Sequence, residues 1–298
     1  MEILGVLAAI LSSALGGTAV GATRYLASAL DPLTIGAVRF GGGFLVLAAL
    51  AFVRRDKWPP RSDWPGAGAL GLLFFGLFPV LFNGALVYTT AARGALALST
   101  LPLLTMLAGA VLRIERPTGR KIAGVLIAMA GVATSLGATL TTAPPGAMRG
   151  DLLMVAAAFC MALYNVWSRP FLSRCAPISF AAFGMGVGTV CLSTLAVLRG
   201  GIAQIAALDA SQWIASTYLA VVCGAFIFFL WAFALRRAPP TLVAVSVAVN
   251  PVTASIFGVV FLGEPVSAKL IVGLLAVLAG IAIASGAVLR PGADAQQS

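Results

Sequence analysis

Histidine is absent from the 298-residue chain, and only nine residues are acidic. Without histidine there is no imidazole base, no histidine metal ligand and no histidine proton relay. The nine carboxylates are Glu2, Asp31, Asp56, Asp63, Glu115, Asp151, Asp209, Glu264 and Asp294. All stand at the ends of apolar runs, in connections or in the C-terminal tail, and none lies within a run. The intramembrane carboxylates that a proton-coupled pump or a membrane hydrolase would use are therefore missing, as is a GxSxG turn. The four cysteines, Cys160, Cys175, Cys191 and Cys223, fit no metal-ligand spacing and force no disulfide, so they read as small packing residues. No enzyme, no cofactor and no metal is expected. Charge of either sign is scarce, at 9% against roughly 25% in soluble globular chains. That excludes an ordinary soluble fold, a disordered chain and a coiled coil.

What fills the chain instead is apolar: 60% of the residues are hydrophobic. A membrane-crossing helix needs about 20 predominantly apolar residues. Ten such runs occur, near 3–23, 32–53, 66–88, 94–112, 122–136, 151–168, 178–198, 213–235, 241–262 and 270–289. They are continuous rather than alternating, which excludes an outer-membrane barrel and leaves helices as the way to satisfy the backbone in lipid. Ala27-Ser28-Ala29 resembles a signal-peptide cleavage site. The run before it is long and is preceded by Glu2 rather than by Lys or Arg, so it is retained as a helix.

The net charge of +10 suggests either nucleic acid or the positive-inside bias of a membrane protein. Alternating the runs across a bilayer puts thirteen basic residues on one side and five on the other, with Arg39 within the second run. No basic segment is longer than Arg54–Arg61. The charge therefore fixes orientation, with both termini cytoplasmic, and no nucleic-acid partner is expected.

The chain resembles itself at an offset of 149 residues. Pro102, Gly109, Glu115, Gly124 and Gly131 match Pro251, Gly258, Glu264, Gly273 and Gly280. Over 102–133 against 251–282, ten of 32 positions are identical, where biased composition gives roughly three. Five runs per copy make the second copy enter the membrane from the opposite side. The expected fold is all-α, with ten transmembrane helices forming two inverted five-helix repeats. Residues 1–137 form the first, 138–149 a periplasmic connecting loop, 150–290 the second and 291–298 a short tail. Inverted repeats recur in secondary transporters, with the substrate site near the midplane between them.

The stretch Ala85-Leu86-Val87-Tyr88-Thr89-Thr90-Ala91-Ala92 leads through Pro102 to Glu115, Gly124 and Gly131. In the second copy, Ala232-Phe233-Ala234-Leu235-Arg236-Arg237-Ala238 leads to Asn250-Pro251, Gly263-Glu264-Pro265 and Gly273. Together with Arg39-Phe40, these residues resemble the drug/metabolite transporter superfamily in its ten-helix EamA-type branch. The chain as a whole is most similar to the YddG-type exporters of aromatic amino acids. The resemblance implies an inner-membrane carrier that exports amino acids or related small metabolites by alternating access. Exporters of other hydrophobic solutes, a channel or a membrane enzyme are the alternatives. The expected partners are a small-molecule substrate and the lipid bilayer, for a monomer or weak homodimer.

Without a buried titrating group, facilitated transport down a gradient is the expected mechanism, with coupling at Glu2 or Asp151 the alternative. Glu115 and Glu264 are expected to cap the fifth and tenth helices and to pair with basic neighbours. Arg39 alone is a thin supply of cationic donors for a phosphorylated substrate, and a structural bond to carbonyls is its other reading. Phe74, Phe78 and Phe82 share one helix face, and Phe226, Phe229 and Phe233 share another in the equivalent run. Tyr164, Trp167 and Trp231 add amphipathic rings. Midspan polar groups are few: Thr18, Asn83, Ser99, Thr100, Asn165, Ser246 and Asn250. Pro79, Pro102 and Pro251 each free a carbonyl upstream, and such breaks hold zwitterions in carriers. The cavity set so selected is Thr18, Phe78, Phe82, Asn83, Ser99, Tyr164, Trp167, Phe229, Ser246 and Asn250.

Overall fold

A computed structural model describes residues 2–26, 29–89, 97–136, 146–250, 252–253 and 268–285, and among them every regular element is helical. The segments are α1 (Glu2–Leu26), α2 (Pro32–Val53), α3 (64–88), α4 (Leu101–Val111), α5 (Gly119–Leu136), α6 (Ala147–Leu172), α7 (Pro177–Leu198), α8 (210–237), α9 (240–250) and α10 (Ala268–Ser285). Their starts follow local chemistry. Asp31 caps α2 by accepting the Leu33 and Thr34 amides, with Pro32 in the first turn, where its missing N–H costs nothing. Asp209 and Gln212 form a reciprocal capping box at α8. Pro177 and Pro240 open α7 and α9 in the same way as Pro32.

Among the described residues, six stretches are long and apolar enough to cross a membrane: Glu2–Ala19, Pro32–Val53, Arg61–Ala85, Ala147–Leu172, Pro177–Leu198 and Ala210–Arg237. Leu101–Val111 and Ile271–Ala284 are shorter apolar helices. The fourth expected run, 94–112, is helical at 97–98, turns at 99–100 and is helical again over Leu101–Val111, while 94–96 lie outside the described residues. The ninth, 241–262, passes outside them beyond residue 253, which also removes Glu264 from view. α6 begins at Ala147, so the end of the expected connecting loop is already helical; residues 137–145 and the tail lie outside the described residues.

Two features of the packing reflect the 149-residue offset. The first is internal to α3 and α8. Each has a π-helical segment in mid-course, Leu72–Leu77 and Leu219–Phe226. Adding 149 to 72–77 gives 221–226, which falls inside the second segment. π turns are rare and break the i→i−4 ladder. The second is the α5–α10 seam. A Cβ on Gly124 would stand 2.6 Å from the Gly280 carbonyl oxygen, and one on Gly280 would stand 2.6 Å from that of Gly124. Gly131 meets Gly273 in the same manner, at 2.9 Å. The two helices run antiparallel in backbone contact, an approach that only glycine allows.

The described interior holds a large apolar cluster crossed by aromatic rings and a smaller one around Leu26, Leu30, Ile35 and Leu219. Phe74 stacks on Tyr164 at 4.3 Å between centroids, and Phe75 meets Phe40 and Phe228 edge-on at 5.5 and 5.1 Å. In lipid such rings gain nothing from leaving water; they stabilise through packing and dispersion.

Candidate functional site

Arg39 is tied to the π segment of α8. Its Nε and one terminal nitrogen donate to the Cys223 carbonyl at 3.3 and 3.1 Å, and the guanidinium lies 5.3 and 5.6 Å from the Phe40 and Phe228 ring centres. The structural reading of this residue is the one the geometry supports. A π turn disrupts regular backbone pairing, and a buried carbonyl in lipid needs a donor. The aromatic faces satisfy the cation's remaining flank.

Around this anchor the sequence-selected residues divide into separate groups. On α1, Thr18 shares a 2.5 Å hydrogen bond with Tyr218 of α8. One turn below, Ser13 shares a 2.9 Å bond with Ser246 of α9, whose hydroxyl also donates to Val243. Between them the Asn250 amide lies against Gly16: a Cβ there would be 3.1 Å from either amide heteroatom. Thr18, Ser246 and Asn250 thus belong to one polar seam, to which the structure adds Ser13, Gly16 and Tyr218. Asn250 Oδ1 is buried without a hydrogen-bond partner, while Pro251 lies outside the described residues.

On α6, Asn165 Oδ1 accepts the Trp231 indole N–H at 3.0 Å, which fixes the amide's orientation because the indole can only donate. Asn165 Nδ2 is then left buried and unpaired. Asn165 was visible in sequence as a midspan amide, but its partner is 66 residues away. Unsatisfied buried polar atoms are few in native proteins, and each calls for an explanation.

The aromatic residues form a gradient rather than a hollow wall. Tyr164 is fully enclosed; Phe78 and Phe82 stack at 5.6 Å on its outer side through Phe74; Phe229 is half-buried between Phe226 and Phe233. Trp167 stands exposed on α6, and Ser99 is buried ahead of α4 close to the enclosed Pro102. Asn83 and Pro79 belong to neither group. They line a cleft of about 460 Å³ between α2, α3 and α7.

Glu115 departs from the expected cap of α5. Its Oε1 takes the Lys121 ammonium at 2.6 Å, and Oε2 accepts the Thr241 amide at 3.2 Å in the first turn of α9. The expected basic partner is present; the capped helix is the one in the other copy. Between α6 and α7, burial pushes the Cys175 thiol up to about 11, with the Arg236 charge partly opposing it.

Residues 3–137 and 148–286 each match the EamA-like transporter family. The chain belongs to that family. Among relatives of this EamA transporter is an uncharacterized transporter of Archaeoglobus fulgidus, 30% identical over 85% of this chain and 87% of its own. A probable terminal-alkyne amino-acid exporter of Streptantibioticus cattleyicolor is 27% identical over 85% and 81%. A probable amino-acid metabolite efflux pump of Salmonella typhimurium is 26% identical over 85% of each. A solved crystal structure covers 98% of both chains with a TM-score of 0.77 at 24% identity, so this EamA transporter shares its fold. It is a multi-pass membrane transporter rather than an enzyme, and it works on a small molecule.

Proposed function

We propose that this transporter exports neutral amino acids, aromatic ones included, or close metabolites across a bacterial inner membrane, with both termini cytoplasmic. The observation that carries this reading is the pair of unsatisfied amide atoms: Asn250 Oδ1, an acceptor, and Asn165 Nδ2, a donor. A zwitterion brings an ammonium for the first and a carboxylate for the second. Neutral amides suit it, because a fixed charge buried in lipid would need a permanent partner. Enclosed rings near Asn165, Tyr164 foremost, favour a flat side chain. The names of the Streptantibioticus and Salmonella relatives lend the amino-acid class support.

The carrier works by alternating access between two inverted five-helix halves, 1–137 and 150–290, joined by 138–149. Ten helices cross the membrane. The repeat offset, the paired π segments and the reciprocal glycine contacts of α5 and α10 support this arrangement, since a two-fold axis makes equivalent residues exchange partners. Movement is facilitated, down the substrate's own gradient.

The test is counterflow into proteoliposomes loaded with unlabelled phenylalanine, followed with labelled Phe, Trp and Thr. Saturable counterflow is expected. Asn165→Ala and Asn250→Ala should each weaken apparent affinity about tenfold or more, as losing one charge-assisted hydrogen bond does. Absence of saturable flux for every amino acid sinks the substrate class; unchanged affinity in both variants sinks the site.

A further inference from the structure

The cleft of about 460 Å³ between α2, α3 and α7 is polar at one end only. Its mouth holds Asp31, Arg199 and Gln204, beside the α1–α2 connection and the 3₁₀ stretch Gly201–Ala207. Leu33 stands beside the mouth, and farther along the helices the walls are Val80, Leu192 and Leu195. Leu195 and Val80 are 39% and 40% exposed, so the cleft opens sideways toward lipid as well as outward. From Arg199 to Leu192 is seven residues, roughly 10 Å of helix rise, which reaches well into one leaflet.

The mouth is built. The Asp31 backbone N–H donates to Gln204 Oε1 at 2.9 Å, tying the 3₁₀ stretch to α2. Asp31 Oδ1 accepts two backbone amides and Oδ2 accepts the Thr34 hydroxyl, so the carboxylate is held in place with lone pairs to spare. Arg199 has no ion-pair partner among the described residues. Asn83 Nδ2 reaches the Pro32 carbonyl at only 3.5 Å, a weak bond in the same wall.

We infer that this cleft is a binding site for a zwitterionic phospholipid with a primary ammonium, that is, a phosphoethanolamine headgroup. Arg199 takes the phosphate, Asp31 takes the ammonium, and an acyl chain lies along Leu192, Leu195 and Val80. The match is one of charge order and depth: a cation and an anion at the interface, aliphatic walls below, and a lateral opening through which a chain enters. A free amino acid satisfies the mouth but leaves the aliphatic depth unfilled. The site stands apart from the Asn165 and Asn250 amides and does not depend on the transported substrate.

The experiment uses the full-length protein in detergent, titrated with phosphatidylethanolamine, phosphatidylcholine or phosphatidylglycerol of identical chains. Retained lipid is read by native mass spectrometry and stability by thermal midpoint. Phosphatidylethanolamine should be retained best. Arg199→Ala should cut its occupancy roughly tenfold, the loss of one charge-assisted contact. Asp31→Asn keeps a good helix cap and should erase the preference for ethanolamine over choline. Leu195→Trp fills the depth and should lower retention of all three. Midpoints of the variants in lipid-free detergent are expected to match the wild type. Equal retention of the three lipids by the wild type, wild-type retention by Arg199→Ala and Leu195→Trp together, or displacement of the lipid by free phenylalanine overturns the proposal.

Discussion

Alanine at Gly124 probes the tightest contact of the α5–α10 seam. The added methyl would stand 2.6 Å from the Gly280 carbonyl oxygen and 2.7 Å from both the Ala284 nitrogen and its Cβ. Carbon and carbonyl oxygen settle at about 3.3 Å or beyond, so α10 must retreat by about 0.7 Å. Neither obstructing backbone atom belongs to a side chain that can swing away. Overpacking of this kind costs about 1–3 kcal/mol, and the better helix propensity of alanine returns up to about 1 kcal/mol. A net loss of about 1–2 kcal/mol is therefore expected. Gly280→Ala should cost the same, since its methyl would meet the Gly124 carbonyl at 2.6 Å and the Ala128 nitrogen at 2.7 Å. The two clashes face one another across a single seam. Once α10 has moved for the first, the second is partly accommodated, and the double variant should fall short of additivity by about 0.5 kcal/mol or more. Gly68→Ala, which meets nothing within 4 Å, is the control and should be neutral or slightly stabilising. Equilibrium unfolding in mixed micelles measures all four proteins. Unequal costs for Gly124→Ala and Gly280→Ala, or a strictly additive double variant, would refute the reciprocal contact.

Three further outcomes follow from the side-chain geometry. Arg39→Lys keeps the charge but loses the fork that meets the Cys223 carbonyl, and should lower stability by about 1.5–3 kcal/mol in the same unfolding assay. Glu115→Gln strands the Lys121 ammonium, which is only 18% exposed, and should cost about 2–3 kcal/mol; adding Lys121→Met should recover part of that loss. Cys175 should resist maleimide near neutral pH, because the thiol stays protonated until pH approaches about 11; its alkylation rate, followed by mass shift, should climb about tenfold per pH unit below that value.

The apolar runs were legible because lipid imposes one rule on every crossing segment, and the six long helices fall where those runs lie. The glycine seam was legible as a recurrence, although only the fold shows that Gly124 meets Gly280 rather than its own repeat equivalent, Gly273. The π segments were not legible, since no residue type marks an extra residue in a turn. The aromatic row persists all the same: Phe74, within the π segment, still meets Phe78 at 5.3 Å and Phe78 meets Phe82 at 5.6 Å between ring centres, with Phe74 turned into the core against Tyr164 and Phe82 half-buried. The polar seam was half legible. Ser246 and Asn250 stood out as costly midspan groups, but nothing in the sequence pairs Ser246 with Ser13, 233 residues away. Glu115 shows the same blindness to distance: its charge announced a cap, and the capped amide belongs to Thr241, 126 residues away.

Arg39 has no counterpart 149 residues later, where Gly188 stands instead. A Cβ on Gly188 would lie 2.8 Å from the Phe75 carbonyl oxygen in the π segment of α3, just as one on Gly224 would press against the Arg39 carbonyl oxygen. The backbones therefore correspond while the guanidinium does not. In a carrier whose halves were identical, the inward-open and outward-open forms would be related by the two-fold axis and have equal energy and equal occupancy. A single unmatched cation removes that degeneracy. Each 1.4 kcal/mol by which its grip differs between the two forms tilts their populations about tenfold. Under the proposed exchange of two inverted halves, Arg39 is then a ballast that biases the side on which the empty carrier waits.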